Sequence, residues 1–353
     1  MKYLLNWWHS IDRINLILIL SLGLTGVILS YSMDEYFSIN RHTFFFIISC
    51  ILLFFVADLN NKNIRRLSLF SFIFLFFIMV LILFLDHEIK GAKRWIQIFN
   101  FSLQPSEIIK PIFIILTAWC ISKSIEDKKF YLLFLFLFFF FLLVLILMQP
   151  DLGMTVLVSA TFFCQLFVAG LSIFLVFIAL IFIIGISVFS YFIFDHVRSR
   201  INSFLGGIGG SDTYQIDLSL RAFQNGGLFG KGPGQGILKE KIPDANTDFI
   251  FAVAGEELGF IFCLLIIFII LSIIVRTLLK VLKEENPYKI IAISGLICSF
   301  GLQCLINIFS SLGLIPTKGM TLPFVSYGGS SMISIAILFG YLLSLTNKKN
   351  QNL

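Results

Sequence analysis

Long apolar runs alternate with short polar connectors along most of the chain. A membrane-spanning helix needs about 20 apolar residues to cross roughly 30 Å of hydrocarbon, and continuous rather than alternating runs favour helices over a β-barrel. The pattern therefore predicts an all-α polytopic membrane protein. The runs lie at about 14–32, 43–57, 68–85, 107–122, 130–148, 152–194, 249–275, 288–312 and 323–346.

The 152–194 run is too long for one span. It has 43 residues, and no charge lies between Asp151 and Asp195. As one helix it would extend about 65 Å at 1.5 Å per residue. We therefore expect two spans with a turn at 170–172, which brings the total to about ten helices and puts both termini on one side.

Composition agrees with this architecture. The 353 residues are 58% hydrophobic and 13% charged, whereas soluble domains have about 45–50% and 25%. We expect a single transmembrane domain over 1–353, in which most Phe and Ile face lipid. The cysteines all fall in apolar runs without metal-ligand spacing, so we expect core residues. They are Cys50, Cys120, Cys164, Cys263, Cys298 and Cys304.

The basic residues set the orientation. The net charge of +6 does not indicate nucleic-acid binding, because in a membrane protein the placement of Lys and Arg carries the meaning. Fourteen of the 26 basic residues lie in short, plain connectors, which the positive-inside rule assigns to the cytoplasm together with both termini. The long loop at about 195–248, between the seventh and eighth helices, is then extracytoplasmic. The other basic residues cluster in outer motifs, where an anionic ligand would explain them.

The first outer motif is KGAKRWIQIFNFSLQPSEIIKP, residues 90–111. Trp95 is typical of an interfacial aromatic, and Ser106 opens the next helix after a proline. Glu107 and Lys110 lie three residues apart on one face of that helix. They form either an ion pair that lets both charges enter the membrane, or part of a cavity in which Lys110 and Arg94 face a phosphate.

The second motif, MQPDLGMT, is a tight turn before the sixth helix. Asp151 is either the N-cap of that helix or a group at the mouth of a cavity.

The 195–248 loop is long enough to indicate function or disorder. Its Gly-rich part at 206–212 is typical of disorder. Residues 218–229 are amphipathic, and we expect a short helix on the membrane that carries Arg221. The GKGPGQG stretch fails as a phosphate-binding loop of the Walker type.

Asp248 ends the loop just before an apolar run. A Thr-Asp pair at this place is an ordinary helix N-terminal signal, and one interpretation of Asp248 is therefore a helix cap. The same position keeps a carboxylate ionised and able to act as a general base. Glu256 and Glu257 follow at a depth of about 12–14 Å. Being about 100° apart on the helix they cannot both face one cavity, and we expect one to pair with a cation or to hydrogen-bond inside the bundle.

The last motif is LIPTKGMTLPFVSYGGSS, residues 314–331. Lys318 is a candidate for contact with an anionic headgroup. Ser326 and Tyr327 open the last helix and are further candidates for substrate contact. The alternative is that the small residues serve close helix packing.

Together these motifs resemble the SEDS family (shape, elongation, division and sporulation) of polytopic membrane glycosyltransferases. The resemblance rests on GAKRWI, QPSE-x-x-K, QPDLG, PDANTDFIFAVAGEELG and PTKGMTLPFVSYGGSS. Within the family the chain is most similar to the cell-division branch, since the PTKG lysine, Lys318, is usually absent from the elongation branch. One departure is Asn246, where the family commonly has His.

The resemblance implies an enzyme that polymerises lipid II into peptidoglycan glycan strands. It would act on the outer face of the bacterial cytoplasmic membrane, at the division septum. The essential aspartate of the family falls on Asp248, which would act as general base while undecaprenyl pyrophosphate leaves with inversion. The cations for the pyrophosphate would be Lys110, Arg94, Arg221 and Lys318. A divalent cation near Asp248 or Glu107 would fit this chemistry, although the sequence shows no metal site and no cofactor is certain.

The implied partners are lipid II, the nascent lipid-linked glycan strand, a class B penicillin-binding protein transpeptidase and other division proteins, without nucleic acid. Two other functions fit the same substrate or family: a lipid II flippase and an elongation-type polymerase. A flippase needs charge through the full depth of the bundle. Here the polar motifs gather on the outer side and 152–194 carries no charge, which favours the enzyme over the transporter or a passive scaffold.

Overall fold

The computed structural model describes residues 7–33, 36–84, 94–98, 101–126, 130–170, 172–193, 198, 202, 211–317 and 319–347. Two short strands form an antiparallel hairpin, β1 (Ile96–Ile98) and β2 (Phe101–Leu103). The other elements are helices. They are α1 (Arg13–Tyr31), α2 (Tyr36–Ala57), α3 (Asn61–Leu83), α4 (Pro105–Ile125), α5 (Phe130–Met148), α6 (Leu152–Val168), α7 (Ile173–Ile193), α8 (Ser211–Gly226), α9 (Ile250–Val281), α10 (Pro287–Ser311) and α11 (Gly329–Leu345).

The predicted helical membrane architecture is confirmed. Seven described helices are long and apolar enough to cross a membrane, namely α1, α2, α3, α4, α5, α9 and α10. Helices α6 and α11 are apolar but have 17 residues each. The 152–194 run does divide into two helices, α6 and α7, around Gly170 with its positive φ of 101°. The total of about ten spans, the single domain and the side of the termini stay predictions.

Helices α4 and α10 form the inside of the bundle. Helix α4 packs against α3, α5, α6, α10 and α11, and α10 packs against α4, α6, α9 and α11. Both are buried over most of their length, unlike α2, α3 and α5, which expose broad apolar faces. The site described below lies on the ends of these two inner helices.

An aromatic cluster fills the space between α3, α4, α5 and α6. The rings of Phe139 and Phe162 stack with centroids 4.2 Å apart, and Phe113 contacts both. Phe72 joins from α3. These rings are buried, so the expectation that the phenylalanines mainly face lipid is wrong for this group. It holds for others, such as Phe70, whose exposed fraction is 71%.

Uncharged polar side chains join the helices inside the bundle. Thr117 of α4 donates to Oε1 of Gln165 at 2.6 Å, and Nε2 of Gln165 returns a bond to the carbonyl of Ile114 at 2.8 Å. Asn15 of α1 donates to Thr277 of α9 at 3.2 Å. Because hydrocarbon offers no hydrogen-bond partners, such pairs favour one arrangement of the helices.

The helix predicted in the long loop is present as α8, with different bounds. The amphipathic helix expected at 218–229 begins earlier, at Ser211, and ends at Gly226. It packs mainly on α9, with Phe223 against Phe251 at a centroid distance of 5.7 Å. The predicted disorder at 206–212 falls mostly outside the described residues, but Ser211 and Asp212 belong to the helix.

Helix α9 is broken at Gly259, which has φ 80° and ψ 179°. The next loop segment, residues 227–232, fills the break. Near the break the carbonyls and amides of α9 are bonded to this loop, so none of these groups is left unsatisfied by the kink. The four main-chain bonds are Lys231 N to Glu256 O (3.0 Å), Gly232 N to Glu257 O (2.9 Å), Phe260 N to Gly227 O (3.0 Å) and Ile261 N to Leu228 O (3.2 Å).

This contact requires glycine on both sides. A Cβ at Gly259 would lie 2.3 Å from the amide nitrogen of Gly230, and a Cβ at Gly230 would lie 2.2 Å from the carbonyl oxygen of Glu257. Both residues also have positive φ. Gly230, the first glycine of the GKGPGQG stretch, is thus explained by backbone contact with α9.

Both carboxylates of the Glu-Glu pair bind the same loop. Glu256 accepts from the amide of Leu238 at 3.0 Å and lies 3.9 Å from Lys231 Nζ. Glu257 pairs with the buried Lys239 at 3.0 Å. The expectation that they cannot face one cavity is wrong, since Glu256 Oε2 and Glu257 Oε1 lie 3.0 and 3.1 Å from the place where a Cβ at Gly236 would be. Each of them, not one alone, has a cationic partner.

Asp12 forms the corresponding cluster at the other end of α1 and α9. Its carboxylate accepts from Arg276 at 2.8 Å and from Lys280 at 2.6 Å, and it caps α1 through the amide of Asn15. Burial by itself raises the pKa of Asp12, but the hydrogen bonds from Arg276 and Lys280 outweigh it, and the pKa falls below the ordinary 3.8.

Gly259→Ala should destabilise the protein strongly. Backbone strain alone costs roughly 1–3 kcal/mol, and the new methyl group adds contacts with the main chain of 228–230. The matched control is Gly185→Ala in α7, where a Cβ meets nothing within 4 Å and helix propensity favours Ala by up to about 1 kcal/mol. Thermal unfolding in detergent measures both. Equal melting temperatures for the two variants would contradict this account of the break.

Asp12→Asn should lower the free energy of unfolding by about 2 kcal/mol at pH 7, since hydrogen bonds to charged groups contribute about 1.5–3 kcal/mol. Because the folded pKa is depressed, this stabilisation is present above pH 3.8 and is lost as the pH falls through the folded pKa. Wild type and variant should therefore converge in stability in acid. Lys283→Gln, which removes an exposed charge near the same end of α9, is the control and should have little effect.

Candidate functional site

The first part of the site is a buried ion pair at the start of α4. Pro105 occupies the first helical position, as its fixed φ favours. One turn on, Lys110 Nζ lies 3.0 Å from Glu107 Oε2, which confirms the predicted pair. Lys110 is 1% exposed, and its second partner is Oε1 of Gln303 on α10 at 2.6 Å. Two partners hold this ammonium group in place.

Asp151 lies at the mouth above this pair. It is the N-cap of α6, accepting from the amide of Met154 at 3.1 Å, so the capping interpretation is confirmed. Its other oxygen lies 3.3 Å from Arg94 Nη1 and accepts from Gln104 Nε2 at 3.0 Å. Asp151 therefore also fixes a guanidinium group that keeps part of its surface exposed.

The β1–β2 hairpin delivers the chain to this mouth. It ends at Leu103, and the amide of the next residue, Gln104, donates to Ser330 on α11 at 2.8 Å. Ser106 is fully buried and accepts from Gln104 Nε2 at 3.0 Å. Ser106 therefore supports Gln104 from inside the protein. Trp95 lies at the start of the hairpin, half-buried, beside Arg94.

The second part of the site is the turn that carries Asp248. The N-cap of α9 is Phe249, so Asp248 lies one residue before the position that the capping interpretation gave it. Its main-chain amide bonds to the carbonyl of Asp244 at 3.0 Å. The side chain is half-buried, and Oδ2 lies 3.6 Å from the place where a Cβ at Gly319 would be. Residue 319 is thus in van der Waals range of this carboxylate.

Two amides on α10 join the two parts. Gln303, which holds Lys110, donates from Nε2 to the carbonyl of Thr321 at 3.1 Å. Asn307 donates to the carbonyl of Met320 at 2.7 Å and to that of Asp248 at 2.9 Å. The two amides are four residues apart on one helix face, about 6 Å along the axis. Lys110 and the turn of Asp248 are thus held one helical turn apart.

Sequence reasoning missed Gln303 and Asn307. The available signal was their polarity inside the apolar 288–312 run, since polar residues within membrane helices face the bundle interior and mark functional sites. Their spacing of four places them on one face. Gln104 was also missed, although it stands in the QPSE motif.

Ser326 and Tyr327 hold the turn from the other side. The hydroxyl of Ser326 donates to the carbonyl of Thr247 and accepts from the amide of Leu322 at 2.8 Å. The amide of Tyr327 donates to the carbonyl of Asn246 at 2.9 Å. The main-chain contacts of the SYGGSS block therefore support the turn that carries Asp248.

Of the other two predicted cations, one stands apart from this network and one lies outside the described residues. Arg221 is exposed on α8 and pairs with Asp217 of the same helix at 2.9 Å. Lys318 lies outside the described residues, although its neighbour Gly319 approaches Asp248. Among the described residues, no group of three or more His, Cys, Asp or Glu is arranged to hold a metal ion.

The amino-acid sequence matches a known protein family. The model of the cell cycle protein family FtsW/RodA/SpoVE covers residues 2–351. The chain belongs to this family. Members with similar sequences are the probable peptidoglycan glycosyltransferases FtsW of Caulobacter vibrioides and of Aliivibrio salmonicida. The first is 37% identical over 97% of this chain and 91% of the relative, and the second is 32% identical over 96% and 89%.

Solved structures of the FtsW/RodA/SpoVE type share the fold. One is a chain of a peptidoglycan synthase complex that coordinates polymerization and crosslinking, with a TM-score of 0.81, 22% identity and coverage of 96% of this chain and 98% of that one. Another is the rod shape determining protein RodA of Thermus thermophilus, with a TM-score of 0.70, 23% identity and coverage of 96% and 97%. These matches confirm a RodA-like polytopic fold for this family member.

Lys110→Met should destabilise the protein by about 3–5 kcal/mol, because it leaves Glu107 buried without its cation. Adding Glu107→Gln should restore most of the loss, since no charge is then left unpaired. The matched control is Lys123→Met, which breaks the exposed pair with Glu126 three residues on and should cost less than about 1 kcal/mol. Unfolding in mixed micelles measures all of them. A double variant as unstable as the sum of its single changes would contradict the coupling.

Proposed function

We propose that this protein polymerises lipid II into peptidoglycan glycan strands. The observation that carries the proposal is that one face of α10 holds both the turn of the half-buried Asp248, through Asn307, and the buried Lys110, through Gln303. Arg94, held by Asp151, is a further fixed cation of the site. Glycosyl transfer from a lipid pyrophosphate needs one base and positive charge for the leaving group. The relatives named above as probable peptidoglycan glycosyltransferases support the same activity.

Asp248 acts as the general base. It takes the proton from the 4-hydroxyl of the acceptor sugar as that oxygen forms a bond to the anomeric carbon of the donor. The bond from the anomeric carbon to the pyrophosphate oxygen breaks, and undecaprenyl pyrophosphate leaves with the electron pair. This single displacement inverts the anomeric centre, and it does not need the close carboxylate pair of a retaining glycosidase. A positioned base of this kind typically contributes about 10²–10⁴-fold.

Arg94 is the cation best placed to touch the pyrophosphate. It lies at the mouth, its side chain is 22% exposed, and Asp151 fixes its orientation. A planar guanidinium binds phosphate oxygens in bidentate fashion. Lys110 is enclosed by Glu107 and Gln303. In this arrangement its positive charge stabilises the pyrophosphate without direct contact. Trp95, beside Arg94, and Tyr327, which bonds to the turn of Asp248, are candidate sugar contacts, and Arg221 and Lys318 remain candidate cations for the lipid-linked strands.

A lipid II transporter is the second candidate. Transport requires access to the anion from both faces of the membrane. The described charged groups of the site lie at the starts of α4, α6 and α9, and beyond Lys110 helix α4 carries no charge until Lys123. This distribution supports an enzyme that works at one face.

Cell division is the process we propose for this activity, because the FtsW relatives cover nearly the whole chain. The site would then lie on the outer face of the cytoplasmic membrane, at the septum, beside a class B penicillin-binding protein transpeptidase and other division proteins. A role in elongation is the alternative. Depletion of the protein in cells distinguishes the two roles: loss of division gives filaments, and loss of elongation gives rounded cells.

Asp248→Asn and Asp248→Ala should each reduce lipid II polymerisation at least about 100-fold. The assay uses purified protein with its transpeptidase partner, and melting temperatures in detergent establish that the variants fold. Asp244→Asn is the matched control: the carboxylate lies four residues earlier in the same turn, and its positive φ of 56° suits Asn. It should retain activity.

Normal polymerisation by folded Asp248 variants would overturn the role of this residue as base. If the wild type made no polymer but moved lipid II across vesicles, the transporter would replace the enzyme. The same assay with EDTA tests the divalent cation expected near Asp248 or Glu107. At Glu107 the ammonium group of Lys110, 3.0 Å away, already supplies the positive charge that such an ion would bring.

A further inference from the structure

Helices α1 and α9 are joined at both ends, and these joints mark the membrane thickness. At one end Asp12 binds Arg276 and Lys280. At the other end Lys239 binds both the Glu257 carboxylate and the carbonyl of Ser32, just after α1. Asp12 and Ser32 are 20 residues apart, or about 30 Å along a helix. This equals the hydrocarbon thickness of a typical bilayer.

The break at Gly259 therefore lies at the membrane boundary on the side of the long loop. From Phe260 to Val281, α9 has 22 residues and an extent of about 33 Å. This part alone crosses the hydrocarbon. Its faces are apolar and exposed, as at Phe268 with 68% exposure. The part before Gly259 is buried in the protein beside α8.

The tip of the long loop lies at this boundary with its side chains outward. Main-chain bonds tie Gly227 and Leu228 to Phe260 and Ile261. Leu228 is 61% exposed and Phe229 is 79% exposed. Next to them, Phe260 and Ile261 are about half exposed, so the apolar surface of the tip continues into the lipid-facing surface of α9.

The main chain of the tip has hydrogen-bond partners in α9. A loop in contact with lipid must satisfy its polar main-chain groups internally, and here α9 supplies partners for the carbonyls of Gly227 and Leu228 and for the amides of Lys231 and Gly232. Lys231 follows two residues after Phe229. Its side chain is 33% exposed, and its ammonium group lies 3.9 Å from the buried Glu256 carboxylate, which ties this end of the tip to α9. Aromatic and cationic residues in this order are typical of membrane interfaces.

We propose that Leu228 and Phe229 insert into the acyl chains of the leaflet on the side of the long loop. The loop is thus anchored in the membrane rather than held above it. Residues 236–248 connect this part of the loop to Asp248. The anchor therefore also fixes the height of that carboxylate relative to the lipid. The proposal concerns the position of the loop and does not depend on the activity.

The test places an indole at the tip. Phe229→Trp, reconstituted as the full chain in phosphatidylcholine–phosphatidylglycerol vesicles, is compared with wild type in lipids carrying bromine near the carbonyl end or near the methyl end of the chains. The fluorescence of the four native tryptophans is measured in the wild type and subtracted. For insertion about 5–10 Å below the headgroups, the added fluorescence should be quenched by about half with shallow bromine and clearly less with deep bromine.

Tyr214→Trp is the matched control. Tyr214 is 54% exposed on α8, more than a turn beyond Ser219, which bonds to the carbonyl of Ser311 at the outer end of α10. Its indole should be quenched by neither lipid. Absence of quenching at 229, or equal quenching at 214 and 229, would overturn the proposal. Melting temperatures close to that of the wild type confirm that both variants are folded.

Discussion

The structure depends on one constraint: hydrocarbon contains no water that could hydrogen-bond to main-chain polar groups. A break in a membrane helix is therefore possible only where other protein groups replace the lost bonds. At Gly259 a loop more than 25 residues earlier in the chain does so with its own backbone. Because of this exchange α9 can change direction at the membrane boundary, and the buried segment before the break can carry Asp248 into the bundle.

Helix α10 then relates the turn of Asp248 to the cations. Gln303 and Asn307 each use their amide group to bind two segments at once: α4 and the stretch before α11 in one case, that stretch and the turn of Asp248 in the other. Neighbouring carbonyls, those of Met320 and Thr321, receive the two bonds. A displacement of either segment would therefore move the other, so the spacing between Lys110 and the turn of Asp248 is determined by one face of α10.

Features determined by neighbours in sequence could be predicted, and those determined by distant segments could not. The cap at Asp151, the pair Glu107–Lys110 and the division of 152–194 follow from local rules, and the structure has all three. The second partner of Lys110 is 193 residues away, and no local pattern indicates it. The role of Asp248 stays a prediction, and its position one residue before the N-cap was not predicted, since Phe249 is not a residue that capping rules would choose.

The buried charges show why a half-buried residue suits the proposed chemistry better than a fully enclosed one. Glu256 and Glu257 have cationic or amide partners and are almost fully enclosed, so removing a proton from a substrate would require breaking a pair that costs several kcal/mol to separate. Their geometry instead fixes the loop. Asp248 is more exposed, and its bond to Asn307 is made by the main chain. The backbone can thus be held rigidly while substrate approaches the carboxylate.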